Sequence, residues 1–207
     1  MKIVLMGAPG CGKGSQSVYL TARFSIPHIS TGDIFRENIS SGTPIGQLAA
    51  SYINKGNLVP DEVTCDIVKD RLTRDDVKNG FLLDGFPRNV KQAKILSEFT
   101  DIDYCIYMHA DYDTIFKRIC GRRICSSCGA VYHTSALNGS TTCSKCGGNL
   151  IQRADDNPDT VKTRYENFLN LSLPLIDFYR EQGKLLEVNA NKEAKDVFLE
   201  IINKIGL

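Results

Sequence analysis

Gly7-Ala8-Pro9-Gly10-Cys11-Gly12-Lys13-Gly14-Ser15-Gln16 follows directly on the apolar run Ile3-Val4-Leu5-Met6. A short buried strand that opens into glycines, then a lysine, then polar helix formers, aims backbone N–H groups at a phosphate. Glycine serves there because a side chain would hold the backbone away from an anion, and because such turns call for positive φ. Lys13 adds a mobile positive charge. The spacing from Gly7 to Lys13 fits G-x-x-x-x-G-K, but the hydroxyl residue that normally follows the lysine is displaced by one, with Gly14 before Ser15. A plain Gly-rich turn between a strand and a helix would need the glycines but not the lysine.

Around this stretch lies a chain of 207 residues, 42% hydrophobic and 24% charged, with a net charge of +1. That length and composition suit one sizeable core with room for an inserted subdomain. So small a net charge gives no bulk attraction to nucleic acid or to an anionic membrane, and any anion site must be local. The first apolar run is too short for a signal peptide, and no later segment approaches a membrane span. A cytoplasmic protein without nucleic-acid or membrane partners is expected.

The rest of the chain alternates. Strands are expected at residues 3–6, 26–30, 81–83, 104–108 and 185–188, all short and apolar. Helical spacing marks residues 15–24, a short helix capped at Thr31-Gly32-Asp33, and a helix from Thr43-Pro44 to Lys55. Further helices are expected over 61–72, after Asn89, from Asp111 to Gly121, from Asn157-Pro158 with an interruption near Pro174, and around Val197 and Ile201. Strands alternating with helices argue for an α/β fold with a parallel sheet covered on both faces, its site at the carboxyl ends of the strands.

Residues 122 to about 155 break that pattern, being rich in Cys, Gly, Ser, Thr and Asn. Cys125-x-x-Cys128 and Cys143-x-x-Cys146 are two knuckles whose four thiolates can close a tetrahedral zinc site. Four protein ligands leave no open position, so the metal would be structural. A redox pair is the other reading of C-x-x-C, but it lacks a thioredoxin-like context here. The segment has too few apolar residues for a core of its own, and metal coordination would supply the missing folding energy.

Asp84 ends an apolar strand, where a phosphate-loop protein keeps the carboxylate that orients Mg2+ through water; a turn cap is its other reading. Arg36, Arg88, Arg118, Arg122, Arg123, Arg153 and Arg164 lie mostly at the mouths of elements. Singly, surface arginines are usually solvated; converging on a phosphate loop, they would spread positive charge over a transferring phosphoryl group.

Taken together, residues 7–16, His28-Ile29-Ser30-Thr31-Gly32-Asp33 with Arg36, Asp84-Gly85-Phe86-Pro87-Arg88 with Gln92, and Gly121-Arg122-Arg123 resemble the adenylate kinase family. The likeness is to its long bacterial form with a zinc-bearing lid, spans essentially the whole chain, and includes Gly14 before Ser15. It implies a P-loop nucleoside monophosphate kinase fold: a five-stranded parallel sheet flanked by helices, a helical AMP-binding insert and a small β-type zinc lid. The core would be residues 1–29, 60–121 and 160–207, the insert 30–59 and the lid 122–159.

The resemblance also implies reversible transfer of the terminal phosphoryl group of ATP to AMP, giving two ADP, with Mg2+ as cofactor and a monomeric enzyme. Position by position, Gly10, Cys11, Gly12, Lys13, Gly14 and Ser15 would cradle ATP phosphates, with Arg118, Arg122, Val131, Tyr132 and the backbone near Lys192 completing the ATP side. Thr31, Arg36, Asn57, Leu58, Val59, Gly85, Phe86, Pro87, Arg88 and Gln92 would hold AMP. Arg153 and Arg164 would bridge acceptor and transferred phosphate, joining Lys13, Arg88 and Arg122 as the catalytic set, while Asp155 and Asp156 fasten the closed lid. Cys11 and Ser15 stand where Ala or Ser, and Thr, are commoner in the family.

Three rivals remain at this level. Another nucleoside monophosphate kinase would share the fold, though Thr31 and Gln92 favour adenine by resemblance. A GTPase switch would want N-K-x-D, and Asn191-Lys192-Glu193-Ala194 lacks the aspartate. A zinc-ribbon nucleic-acid module is opposed by the near-neutral charge.

Overall fold

Ile3 to Met6 are all buried in β1 (Lys2–Met6), as a parallel strand covered on both faces must be. The computed structural model describes residues 1–206; Leu207, the last position of the expected core range, lies outside the described residues. Beside β1 run β2 (His28–Ser30), β3 (Phe81–Asp84), β4 (Tyr104–His109) and β8 (Leu185–Asn189) in the order β2-β3-β1-β4-β8. Every pairing is parallel, with Val4 opposite both Leu83 and Cys105. Strand order reverses at β1, which opens a crevice at its carboxyl end.

The helices fall close to their expected places, with differences that have local causes. The first, α1 (Lys13–Phe24), starts earlier than the apolar spacing indicated because Gly12, at φ 107°, already turns the backbone into it. α2 (Thr31–Ser40) is capped by Ser30, whose hydroxyl accepts from Asp33 N, so the cap is the serine and not Thr31-Gly32-Asp33. α3 (Pro44–Ile53) carries the expected Thr43 cap and first-position proline, and stops short of Lys55. After α4 (Asp61–Arg71) and the Asn89-capped α5 (Val90–Phe99) comes α6 (Tyr112–Cys120). Asp111 stands at its N-cap, but the carboxylate accepts from Asn191 Nδ2 and caps nothing. α7 (Pro158–Asn167) runs into a π-helical turn, Phe168–Ser172, and α8 (Leu175–Glu181) resumes after Pro174. α9 (Ala194–Ile205) closes the described chain.

Between α6 and α7 a second, antiparallel sheet is built from β5 (Arg122–Cys125), β6 (Val131–His133) and β7 (Leu150–Ile151), in the order β6-β5-β7. Apolar packing is divided accordingly. The main cluster is formed by the five strands and the helices against them, and a small separate one by Phe35, Ala49 and Val59 under α2 and α3. Among the described residues, neither cluster includes any of 122–159.

Close approach of α2 and α3 depends on Gly46, where an added Cβ would fall 2.1 Å from the Asn38 carbonyl oxygen. Gly46→Ala must push the two helices apart. It is expected to destabilise this unit by about 1–3 kcal/mol, as overpacking does. Denaturant titration checks this, and an unchanged midpoint would exclude the tight crossing.

Candidate active site

The loop after β1 passes through Gly7, Gly10 and Gly12 at φ 154°, 80° and 107°. A Cβ on Gly7 would meet Met108 O and Cys11 Sγ at 2.7 Å, and one on Gly10 would meet Ile119 Cγ1 at 2.6 Å, so the loop wraps tightly onto β4 and α6. At its end α1 begins with no side-chain cap; Ser15 N and Gln16 N turn to Gly12 O, which leaves the first two N–H groups, of Lys13 and Gly14, to face an anion. Lys13 Nζ donates to Gly7 O at 2.8 Å and Ala8 O at 3.1 Å. Cys11 is only 1% exposed, and its Sγ lies 3.8 Å from Lys13 Nζ. Two side chains tie the loop to the segment after β8: Arg118 Nη1 donates to Cys11 O and Ala190 O, and Gln16 Nε2 to Ala194 O.

A cleft of about 1060 Å³ opens above this loop. Residues 10–15 border it together with Arg118, Arg122, Val131, Tyr132 and Lys192, the positions expected on the ATP side, and also Asp84, Pro87, Arg88, Arg153 and Arg164. Asp84 ends β3 with Oδ2 3.5 Å from His28 Nε2, a neighbour that sequence reading missed. Burial works against its ionisation, but the His28 contact and the positive charges of Lys13 and Arg88 prevail and hold the carboxyl below its ordinary value.

A smaller adjoining pocket, about 70 Å³, is lined by Thr31, Arg36, Asn57, Leu58, Val59, Gly85, Arg88 and Gln92, with Phe35, Ile53 and Thr64 as further walls. Thr31 Oγ1 and Arg88 Nε both donate to Gly85 O, at 3.0 and 2.7 Å. Gln92 accepts from Arg88 N and donates through Nε2 to Asp61 Oδ1, each at 2.7 Å. Asp61, which also accepts from Asn89, therefore orients this wall although its sequence position shows only a first-turn acid of α4. Phe86 is fully buried and lines neither pocket, so its side chain supports the turn from the core side.

Arginines crowd the space between the two pockets. Arg122 donates to both carboxylate oxygens of the buried Asp156, and Arg164 Nη1 to Asp155 Oδ2 at 2.7 Å with Asp156 Oδ1 at 3.6 Å. Arg36 reaches Asp33 at 2.5 Å. Arg153 has a buried Nε without a hydrogen-bond partner among the described residues. Burial, then the neighbouring Arg164 charge, draws Arg88 down to about 10; burial, then Arg36 and Arg122, does the same to Arg153. Burial also lowers Arg164, Asp155 pulling the other way. The end of α7 and the π-helical turn add two contacts that no sequence pattern announces: Asn167 Nδ2 donates to Gly56 O, and Ser172 Oγ to Arg88 O.

At the far end of the cleft, Cys125, Cys128, Cys143 and Cys146 place all four sulfurs within 4.8 Å of one another. Tetrahedral coordination with bonds of ~2.3 Å sets sulfurs roughly 3.8 Å apart, so a zinc ion fits this donor set. The knuckles match: Gly129 N donates to Cys125 O at 3.0 Å and Gly147 N to Cys143 O at 2.8 Å, both glycines at positive φ. Tyr132 borders the cleft, yet its hydroxyl contacts Cys143 Sγ at 3.2 Å.

Comparison with known proteins agrees with this geometry. The family model described as Adenylate kinase matches residues 5–184. The adenylate kinase of Clostridium tetani (strain Massachusetts / E88) is 48% identical over 213 residues, covering 100% of this chain and 99% of its own length. That of Bacillus subtilis (strain 168) is 49% identical over 214 residues, covering 100% and 98%. With a glycine cradle, a charged cleft and full-length likeness of this degree, the chain belongs to the adenylate kinase family.

Proposed function

We propose that the cleft holds two nucleotides end to end, ATP on the phosphate loop and AMP in the smaller pocket, with their phosphates meeting among the arginines. The reaction is reversible transfer of the terminal phosphoryl group of ATP to AMP, giving two ADP. The observation that carries this reading is the crowding of Arg36, Arg88, Arg122, Arg153 and Arg164 between two pockets, far more positive charge than one phosphate group requires. Phosphoryl transfer asks for positioning and charge and needs no protein nucleophile.

Lys13 and the residues 10–15 amides take the ATP phosphates; Arg118, Val131, Tyr132 and the backbone at Lys192 take the rest of ATP. Thr31, Arg36, the 57–59 backbone, Gly85 to Arg88 and Gln92 take AMP, and Arg153 and Arg164 span both phosphates. Asp84, through water, would hold Mg2+, which when bound neutralises charge on the phosphates. Residues 30–59 and 122–159 close over the cleft as insert and lid on a core of 1–29, 60–121 and 160–206, which keeps water from competing as acceptor. Structural zinc on the four cysteines keeps the lid a single body. A monomer in the cytoplasm is the working state that family likeness supports; among the described residues no helix is long and apolar enough to cross a membrane. A GTPase reading gains nothing, since Asn191 is engaged with Asp111 through both ends of its amide.

A coupled assay of ADP formation from ATP with AMP, GMP, CMP or UMP is expected to show strong preference for AMP; equal turnover of another monophosphate would overturn the acceptor assignment. Arg153, buried against like charges, is expected to trade stability for rate. Arg153→Met should raise the melting temperature of the ligand-free protein by roughly 2–4 °C, the shift that ~1 kcal/mol makes at this size. The same change should lower turnover by on the order of 10^3. Thermal unfolding and steady-state rates test both halves.

Asp84 predicts an acid effect. Its folded pKa lies below the ordinary 3.8, so its contribution is fully present above the unfolded value and is lost as pH falls through the folded one. Asp84→Asn should therefore lower stability at neutral pH and flatten the acid limb of the stability curve. Urea titrations between about pH 3 and 7 check this; a wild-type curve and a variant curve that run parallel would contradict it.

A further inference from the structure

We infer that Tyr132 is a positioning residue for the metal cluster, its phenol donating a hydrogen bond to the Cys143 thiolate, so that one strand joins the nucleotide wall to the metal. The inference rests on the four-cysteine cluster holding a metal. Side chains alternate along β6, and the observed contacts follow that alternation. Val131 is 62% exposed at the cleft, and His133, two positions on, packs back on α6 through Nε2 at 3.1 Å from Lys117 O. Tyr132, between them, takes the opposite direction: its hydroxyl lies 3.2 Å from Cys143 Sγ and 3.0 Å from Ser144 Oγ.

Chemistry fixes the direction of that bond once a metal is present. A metal-bound thiolate carries no proton, so the phenol must donate, and Ser144 can then donate to the phenol oxygen. The two knuckles are not equivalent in this respect. Cys125 takes Ser127 N and Cys128 N, both from its own turn, at 3.4 and 3.5 Å, whereas Cys143 has a donor from outside its turn. Hydrogen bonds to ligand atoms orient the ligands and tune the metal, and losing one commonly costs 10- to 100-fold in affinity.

The test uses the full chain loaded with Co2+ or Zn2+. Tyr132→Phe keeps the ring and removes only the donor. With one hydrogen bond fewer the thiolate electrons lie higher, so the sulfur-to-cobalt charge-transfer bands should move to longer wavelength. Zinc release to a chromogenic chelator should be about 10- to 100-fold faster. Ser144→Ala, which removes the phenol's other partner, should shift the bands in the same direction by less. Bands and release rates unchanged in both variants would overturn the assignment, and a raised KM for ATP alongside them would leave Tyr132 to the nucleotide wall alone. A wild-type chain that takes up neither metal would overturn the cluster reading itself, and this inference with it.

Discussion

Guanidinium repulsion is the constraint that the site is built around. Arg88, Arg153 and Arg164 are each disfavoured as cations by burial and by neighbouring arginines; Asp84 opposes this at Arg88, and Asp155 and Asp156 oppose it at Arg153 and Arg164. Their placement is informative. Asp156 receives Arg122 from β5 and Arg164 from α7, so the point where the small sheet rejoins the main body is also where charge is balanced. Removing either carboxylate would leave Arg164 with one counter-charge in place of two, and loss of a partner from a buried pair costs more than the pair itself contributes. On the proposed reading a polyanionic substrate would complete the neutralisation, and the deficit that the fold tolerates would be repaired by binding.

Three parts of the chain solve the problem of holding still in three ways. The parallel sheet does it with apolar strands covered on both faces. The α2–α3 unit has a miniature core of Phe35, Ala49 and Val59, and a glycine that lets its helices touch. Residues 122–159 contribute to neither apolar cluster among the described residues, and there the four sulfurs stand close enough for metal bonds to do what hydrophobic burial does elsewhere.

What could be read from sequence was whatever depends on spacing alone. The glycine loop, the C-x-x-C pairs, the Thr43-Pro44 helix start and the alternation of strands with helices all encode geometry within a few residues, and all are present in the fold. Family likeness carried the residues that lie far apart, and Thr31, Arg36, Gly85 and Gln92 do line one pocket. Hidden from both were contacts set by tertiary register: Asp61 orienting Gln92, Asn167 on Gly56, His28 beside Asp84, and the Tyr132 hydroxyl turned toward Cys143. Such contacts depend on how an element is rotated about its axis, and a one-residue change of face leaves the sequence pattern untouched. The π-helical turn is of the same kind, since its extra residue per turn aims Ser172 at the Arg88 carbonyl without altering the apolar spacing before it.

Gly14 separates the demands of folding from the demands of the ligand. At Gly7 and Gly10 an added methyl would strike the chain's own atoms, so packing alone explains those residues. At Gly14, the second residue of α1, a Cβ would meet nothing within 4 Å. Alanine there would favour the helix, by up to about 1 kcal/mol in a helix interior. A residue that costs helix stability where no packing requires it is explained by what approaches from the cleft, which Gly14 borders. On the proposed reading the displacement of the hydroxyl to Ser15 has the same origin: a bare position after the lysine would let backbone N–H groups approach phosphate oxygens directly, with the side-chain donor one step along the helix.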